Sequence, residues 1–142
     1  MCLGVHGGTL GIRSSGTGAC PALAYPPQVK YHLSHGVSVA VMLPYVMEYN
    51  LIGNLEKYAN VAQAMGEKVE GLSVFDAAYR SVEAIKRLIK DLSLPLKLRE
   101  VGAKKEGIEV MAQEAIQSKL PLNTPRKMTV DDIKFLYEKA FA

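Results

Sequence analysis

The sequence predicts an all-α fold, a helical bundle behind a flexible glycine-rich amino-terminal arm. Three observations predict it. Apolar residues recur at alternating threes and fours in several separate segments, the period of a helix face. Those segments open on residues able to cap a helix. Only one stretch alternates as a strand would, and it has no second strand to pair with. At 142 residues the chain is long enough to bury the core of one domain.

The arm comes first. Residues 1–18, MCLGVHGGTLGIRSSGTG, hold six glycines, which lower helix propensity and break any period. Gly11 and Gly16 have the separation found in a phosphate-binding loop. That loop needs Lys and then Ser or Thr after its second glycine, and Thr17 and Gly18 stand there instead. His6, isolated in this arm, has no role to suggest.

A domain of residues 19–142 follows. Residues 31–50 read YHLSHGVSVAVMLPYVMEYN. Val37, Val39 and Val41 alternate with small residues and Pro44 interrupts, so local propensity favours a strand. A buried, proline-kinked helix is the alternative. Beyond it the signals are helical. Asn54 can cap a helix whose Leu55, Tyr58, Ala59, Ala62 and Met65 share a face, and Gly66 sits where it stops. Ser73 and Asp76 open a longer helix with Phe75, Ala78, Val82, Ile85, Ile89 and Leu92 as its stripe, ended before Pro95. Ile108, Met111, Ala112, Ala115 and Ile116 mark a helix from about Lys104. Thr129 and Asp132 cap the last, with Ile133, Leu136, Tyr137, Ala140 and Phe141 buried.

Composition narrows the functional classes. Apolar residues make up 49% and charged residues 22%. The net charge of +3 is spread among interleaved acidic and basic residues, unlike the basic stripe of a nucleic-acid binder. Cys2 and Cys20 allow one bridge at most. The apolar run of residues 37–47 is shorter than the roughly 20 residues that span a bilayer. The amino terminus lacks the basic flank of a signal peptide. A cytoplasmic protein without nucleic-acid or membrane partners is the expectation.

From residue 22 the sequence ALAYPPQVKYHLSHGVSVAVMLPYVMEYN resembles the carboxyl-terminal domain of the iron-containing (group III) alcohol dehydrogenases, in which a run like HALAYPLGGxYHxxHGxxxAxxLPxVMxFN carries metal-site residues. The likeness continues through NLEKYANVAQAMG, the FDAA helix start and NTPRKMTVDDIKFLYEKAF, from about residue 19 to the end. It implies that residues 37–47 are a core helix. It also implies hydride transfer between an alcohol and NAD or NADP. In such enzymes a divalent metal, Fe²⁺ or Zn²⁺, held by one aspartate and three histidines, polarises the substrate oxygen.

Carried over residue by residue, the resemblance makes His35 a metal ligand. Pro21 stands where the other histidine of this run belongs, and its side chain has no lone pair to give. Tyr25 falls where relatives carry His or Tyr near the substrate, so a substrate-pocket role is implied for it. Pro27, Gln28 and Val29 replace Leu-Gly-Gly. His32 is not a ligand in the pattern, although residues three apart on a helix face the same way. The remaining ligands and the nucleotide-binding domain belong upstream. These departures suggest a truncated or mis-started chain.

Two functional readings follow. The first is the metal and substrate domain of an NAD(P)-dependent alcohol dehydrogenase, acting on small alcohols or aldehydes but inactive in isolation. The second is a non-enzymatic helical module that oligomerises with or regulates a full-length relative. Its partner is then a second copy or the missing amino-terminal domain. Cys20 reads as a small buried hydrophobe, Tyr31, Tyr45 and Tyr49 as packed rings with hydroxyls reaching water, and Arg126 as a local brace for the final helix.

Overall fold

Residues 37–41 alternate like a strand yet coil into a helix, α3 (His35–Asn50). Its buried residues explain why. Ser38, Val41, Met42, Pro44, Val46, Tyr49 and Asn50 are buried, a set that follows no alternation by twos and that helical winding spreads around most of the circumference. The strand reading of this segment is therefore overturned, and the helix that the resemblance implied is present. Pro44 lies inside α3, where it cannot donate to the carbonyl of Ala40.

The structure, a computed structural model, describes residues 2–118 and 124–142. Around α3 lie α1 (Cys2–Ser15), α2 (Ala19–Lys30), α4 (Leu55–Ala64), α5 (Val74–Asp91), α6 (Ile108–Gln117) and α7 (Val130–Phe141). Among the described residues there is no strand. The main core joins α2, α3, α6 and α7 through Leu23, Val41, Met42, Met111, Ile133, Leu136 and Tyr137. A smaller cluster, Leu51, Ala78 and Val82, seats the α4–α5 hairpin on the far end of α3. By length and composition, residues 35–53 are apolar enough to cross a membrane, but half of that stretch is buried inside the molecule. It is a core helix.

The caps lie where the sequence puts them. Asn54 Oδ1 accepts the Lys57 N–H at 3.3 Å, and Ser73 Oγ accepts that of Asp76 at 3.1 Å. Thr129 and Asp132 form a reciprocal box, Thr129 N–H to Asp132 Oδ2 at 2.9 Å and Asp132 N–H to Thr129 Oγ1 at 3.2 Å. Gly66, at φ +84°, ends α4 in the left-handed region, where glycine meets no Cβ penalty. Ahead of α6, residues Lys105–Gly107 make a 3₁₀ turn, so the α-helix starts at Ile108 rather than near Lys104.

Three expectations need correction. The glycine-rich arm is helical as α1. Glycine weakens a helix by about 1 kcal/mol per interior position but keeps its N–H and C=O, and the Thr9 hydroxyl adds a bond to the Val5 carbonyl at 2.9 Å. Leu3, Val5, Leu10 and Ile12 are nonetheless exposed. Phe75 and Leu92, expected in the buried stripe of α5, are 50% and 61% exposed. They lie at the two ends of an 18-residue helix packed on the 10-residue α4, and so overhang it. Met65, expected on the apolar face of α4, is likewise exposed.

Two prolines in α2 shape the wall that faces α3. Pro27 has no N–H, so the carbonyl of Leu23, four residues back, loses its helical donor. The buried hydroxyl of Tyr137 donates to it instead, at 2.7 Å. One residue on, the Ser38 hydroxyl of α3 donates to the Ala24 carbonyl. The carboxyl end of α2 is fixed by Tyr31, whose hydroxyl accepts the Lys104 N–H at 3.2 Å. A Cβ on Gly107 would lie 2.7 Å from that hydroxyl, so a side chain there would push the Tyr31 hydroxyl from its place.

Candidate functional site

The turn between α2 and α3 sets the position of His35. Tyr31 closes α2 with its N–H on the Pro27 carbonyl, and Leu33 N–H reaches back to the Gln28 carbonyl at 3.0 Å. This is the bond pattern of a helix terminator whose central residue is left-handed. His32 is that residue, at φ 52°, a place usually given to glycine but one that histidine tolerates better than most. His32 is therefore a chain-reversing residue. It is not on a helix with His35, so the argument for a shared face does not apply.

Ser34 then caps α3, its Oγ accepting the Val37 N–H at 3.4 Å. His35 is the first residue of the helix, exposed, with Nδ1 at 2.9 Å from Oε1 of Gln28. It lines a cavity of about 300 Å³ together with Pro21, Ala22, Tyr25, Pro26, Glu114 and Ser118. The prolines and Ala22 make an apolar wall on α2, while α6 contributes the carboxylate. His35 and Tyr25 are thus brought together, and Pro21 sits in the same cavity. Tyr25 is 62% exposed, at the mouth.

Whether a metal fits can be judged from the donors. Catalytic zinc-type sites use three protein ligands. Among the described residues no group of three or more His, Cys, Asp or Glu side chains could hold an ion. Pro21 has no donor atom. Cys20, its neighbour, is no substitute: its thiol points to the Val39 carbonyl at 3.7 Å, and burial pushes its pKa up to about 12, far from the thiolate a metal takes. The described residues of this chain do not by themselves compose the metal site.

The other candidates are structural. Tyr45 donates to the Leu96 carbonyl and Tyr49 to that of Lys127, both at 2.9 Å, so their hydroxyls reach backbone rather than the expected water. Burial raises the pKa of both phenols. Arg126 lies 4.1 Å from the centroid of the Tyr49 ring, a cation–π contact that braces the approach to α7 as expected. His6 is exposed on α1. Asn123, the first residue of the NTPRKMT run, lies outside the described residues. Sequence reasoning missed Glu114 of α6 and Ser118 just past its end, which line the cavity. It noted Gln28 only as a departure from a pattern.

The fold and the site define a class: an all-helical domain with an imidazole at the lip of a small, mostly apolar cavity. Residues 1–141 match the model of the Fe-containing alcohol dehydrogenase family, C-terminal, so the chain belongs to that family and carries its carboxyl-terminal domain. It is 39% identical over 141 residues to lactaldehyde reductase of Escherichia coli (strain K12), covering 99% of this chain and 37% of that protein. To 1,3-propanediol dehydrogenase of Klebsiella pneumoniae it is 37% identical over 132 residues, 93% of this chain and 34% of the other. The solved structure of a 1,3-propanediol oxidoreductase superposes with a TM-score of 0.86 at 39% identity, over 89% of this chain and 33% of that one. The chain therefore spans about a third of the length of these relatives. The match also reaches back through α1, where the resemblance had been read only from Ala19.

Proposed function

We propose that this chain is the carboxyl-terminal, metal- and substrate-facing domain of an NAD(P)-dependent alcohol dehydrogenase, working in the cytoplasm on small alcohols or aldehydes. The observation that carries the reading is that His35 and Tyr25 share one cavity in a domain of the iron-containing family. His35 supplies one imidazole to a divalent iron or zinc ion, and Tyr25 flanks the substrate. When bound, the ion supplies Lewis-acid polarisation of the substrate oxygen. The chain's own residues give one ligand position, an apolar wall that limits water, and polar groups at the rim.

Residues 1–142 by themselves should show no dehydrogenase turnover, because among the described residues no group of three His, Cys, Asp or Glu side chains could hold the ion. Purified chain given zinc or ferrous ion, NAD⁺ or NADP⁺ and short primary alcohols should form no reduced nicotinamide. Turnover by the chain alone would overturn this part of the reading. Pro21→His places a second imidazole on the cavity and should tighten Zn²⁺ binding measured by calorimetry. Equal affinity in the two forms would count against the assigned site.

A second reading has an observation of its own. Leu3, Val5, Leu10 and Ile12 on α1 are all more than half exposed, and such apolar exposure favours association. A non-enzymatic module that joins a second copy or a full-length relative would show mass beyond the monomer in light scattering. A strictly monomeric chain that ignores the relative would remove this reading.

A further inference from the structure

A neutral imidazole has one proton and two nitrogens, so a partner that fixes the proton on one leaves the other as an electron-pair donor. In this chain the partner of Nδ1 is the side-chain oxygen of Gln28, at 2.9 Å. A carboxamide oxygen only accepts, so the proton belongs on Nδ1. We propose that Gln28 is the positioning residue for His35: it holds the ring in the Nδ1–H tautomer and leaves Nε2 as the nitrogen with a lone pair to give. The local fold builds this pair. Gln28 sits in the last turn of α2, the left-handed His32 reverses the chain, and the Ser34 cap starts α3 with His35 as its first residue.

The family-like run has glycine at position 28, which has no side chain to accept a proton. Imidazoles that bind metals ordinarily donate their second N–H to an outer acceptor, which fixes tautomer and ring orientation. Here that acceptor comes from seven residues upstream, within the same helix–turn–helix. Delivery of the Nε2 lone pair to a divalent cation rests on the proposed function. The tautomer itself does not.

The test is long-range ¹H–¹⁵N correlation on the full ¹⁵N-labelled chain at about pH 8, above the ordinary imidazole range. His35 should show the proton on Nδ1, while the exposed His6 and His32 serve as references in the same spectrum. Gln28→Ala should move His35 toward their pattern, and Gln28→Glu, which keeps an accepting oxygen, should restore Nδ1–H. Circular dichroism checks that the variants fold. A proton on Nε2 in the parent chain would mean that the amide presents its NH₂ group instead, and would overturn the proposal. So would a tautomer unchanged in Gln28→Ala. Zn²⁺ added to the parent sample then probes the ligand role separately: a silent Nε2 would remove the metal reading and leave the tautomer assignment standing.

Discussion

The two ends of α3 are held in opposite ways. At its amino end His35 is exposed and tied to α2 by one side-chain hydrogen bond, beside a cavity walled by prolines. Toward its carboxyl end Glu48 takes Lys139 of α7 at 2.9 Å and Lys86 of α5 at 3.9 Å. Beside it Tyr49 is clasped by the Lys127 carbonyl and the Arg126 guanidinium, and the capping box of α7 follows. One end is open and lightly held, the other is closed by ion pairs and backbone hydrogen bonds. The difference teaches that folding and site are separable here, since the site's side chains bear little of the core. Substitutions should reveal this as a gradient.

The largest effect should come from the core that anchors α7. Leu136 is 2% exposed, and Leu136→Ala should cost about 2–5 kcal/mol, for lost burial and the cavity left behind. Denaturant unfolding followed by circular dichroism measures it. A cost below about 1 kcal/mol would mean that α7 is loosely docked, and the contrast between the two ends would fail.

Alkaline pH tests the α2–α3 seam without a mutation. The Cys20 thiol is held at about 12 by burial, against about 8.5 in an unfolded chain. Above that lower value the unfolded state loses a proton that the folded state keeps, so stability is full below about pH 8.5 and falls as pH rises, by up to about 1.4 kcal/mol per pH unit for this one group. Tyr137, its phenol raised by burial, acts in the same direction at higher pH. Consistently, iodoacetamide at about pH 8 should label the exposed Cys2 and spare Cys20. Rapid labelling of Cys20 in the folded chain would show the seam to be open.

Tyr137→Phe should follow, at about 1–3 kcal/mol, because it leaves the Leu23 carbonyl without a donor inside the core. The double variant Pro27→Ala with Tyr137→Phe sharpens the point. Alanine restores an N–H to α2 at the right distance, so the second change should cost less in that background. Additive costs would show that the hydroxyl does not replace the missing backbone donor.

How much of this was legible follows from distance along the chain. The caps at Asn54, Ser73 and Thr129 were readable because a cap is a local bond over three residues. The stripes of α6 and α7 were readable because burial imposes a period. Local pattern alone misread α3, because a helix buried on most sides is apolar all round and loses its period. The overhanging ends of α5 were missed because a stripe does not say where its partner stops. Of the candidate cavity's lining, the resemblance named His35, Tyr25 and Pro21. Glu114 enters through packing of α6 on α2, which no spacing encodes. The bond from Tyr137 to Leu23 joins residues 114 apart and depends on a donor that proline lacks.

The smallest effect should be His35→Ala. The ring is exposed, its one hydrogen bond goes to a half-buried glutamine, and the helix start is secured by the neighbouring Ser34 cap rather than by the imidazole. A surface change of this kind usually stays within about 0.5 kcal/mol, so the unfolding midpoint should scarcely move. Zn²⁺ binding at the cavity should disappear in the same variant if the ring is the ligand. A large loss of stability with unchanged metal binding would reverse the assignment of the two ends of α3, making its amino end the structural one.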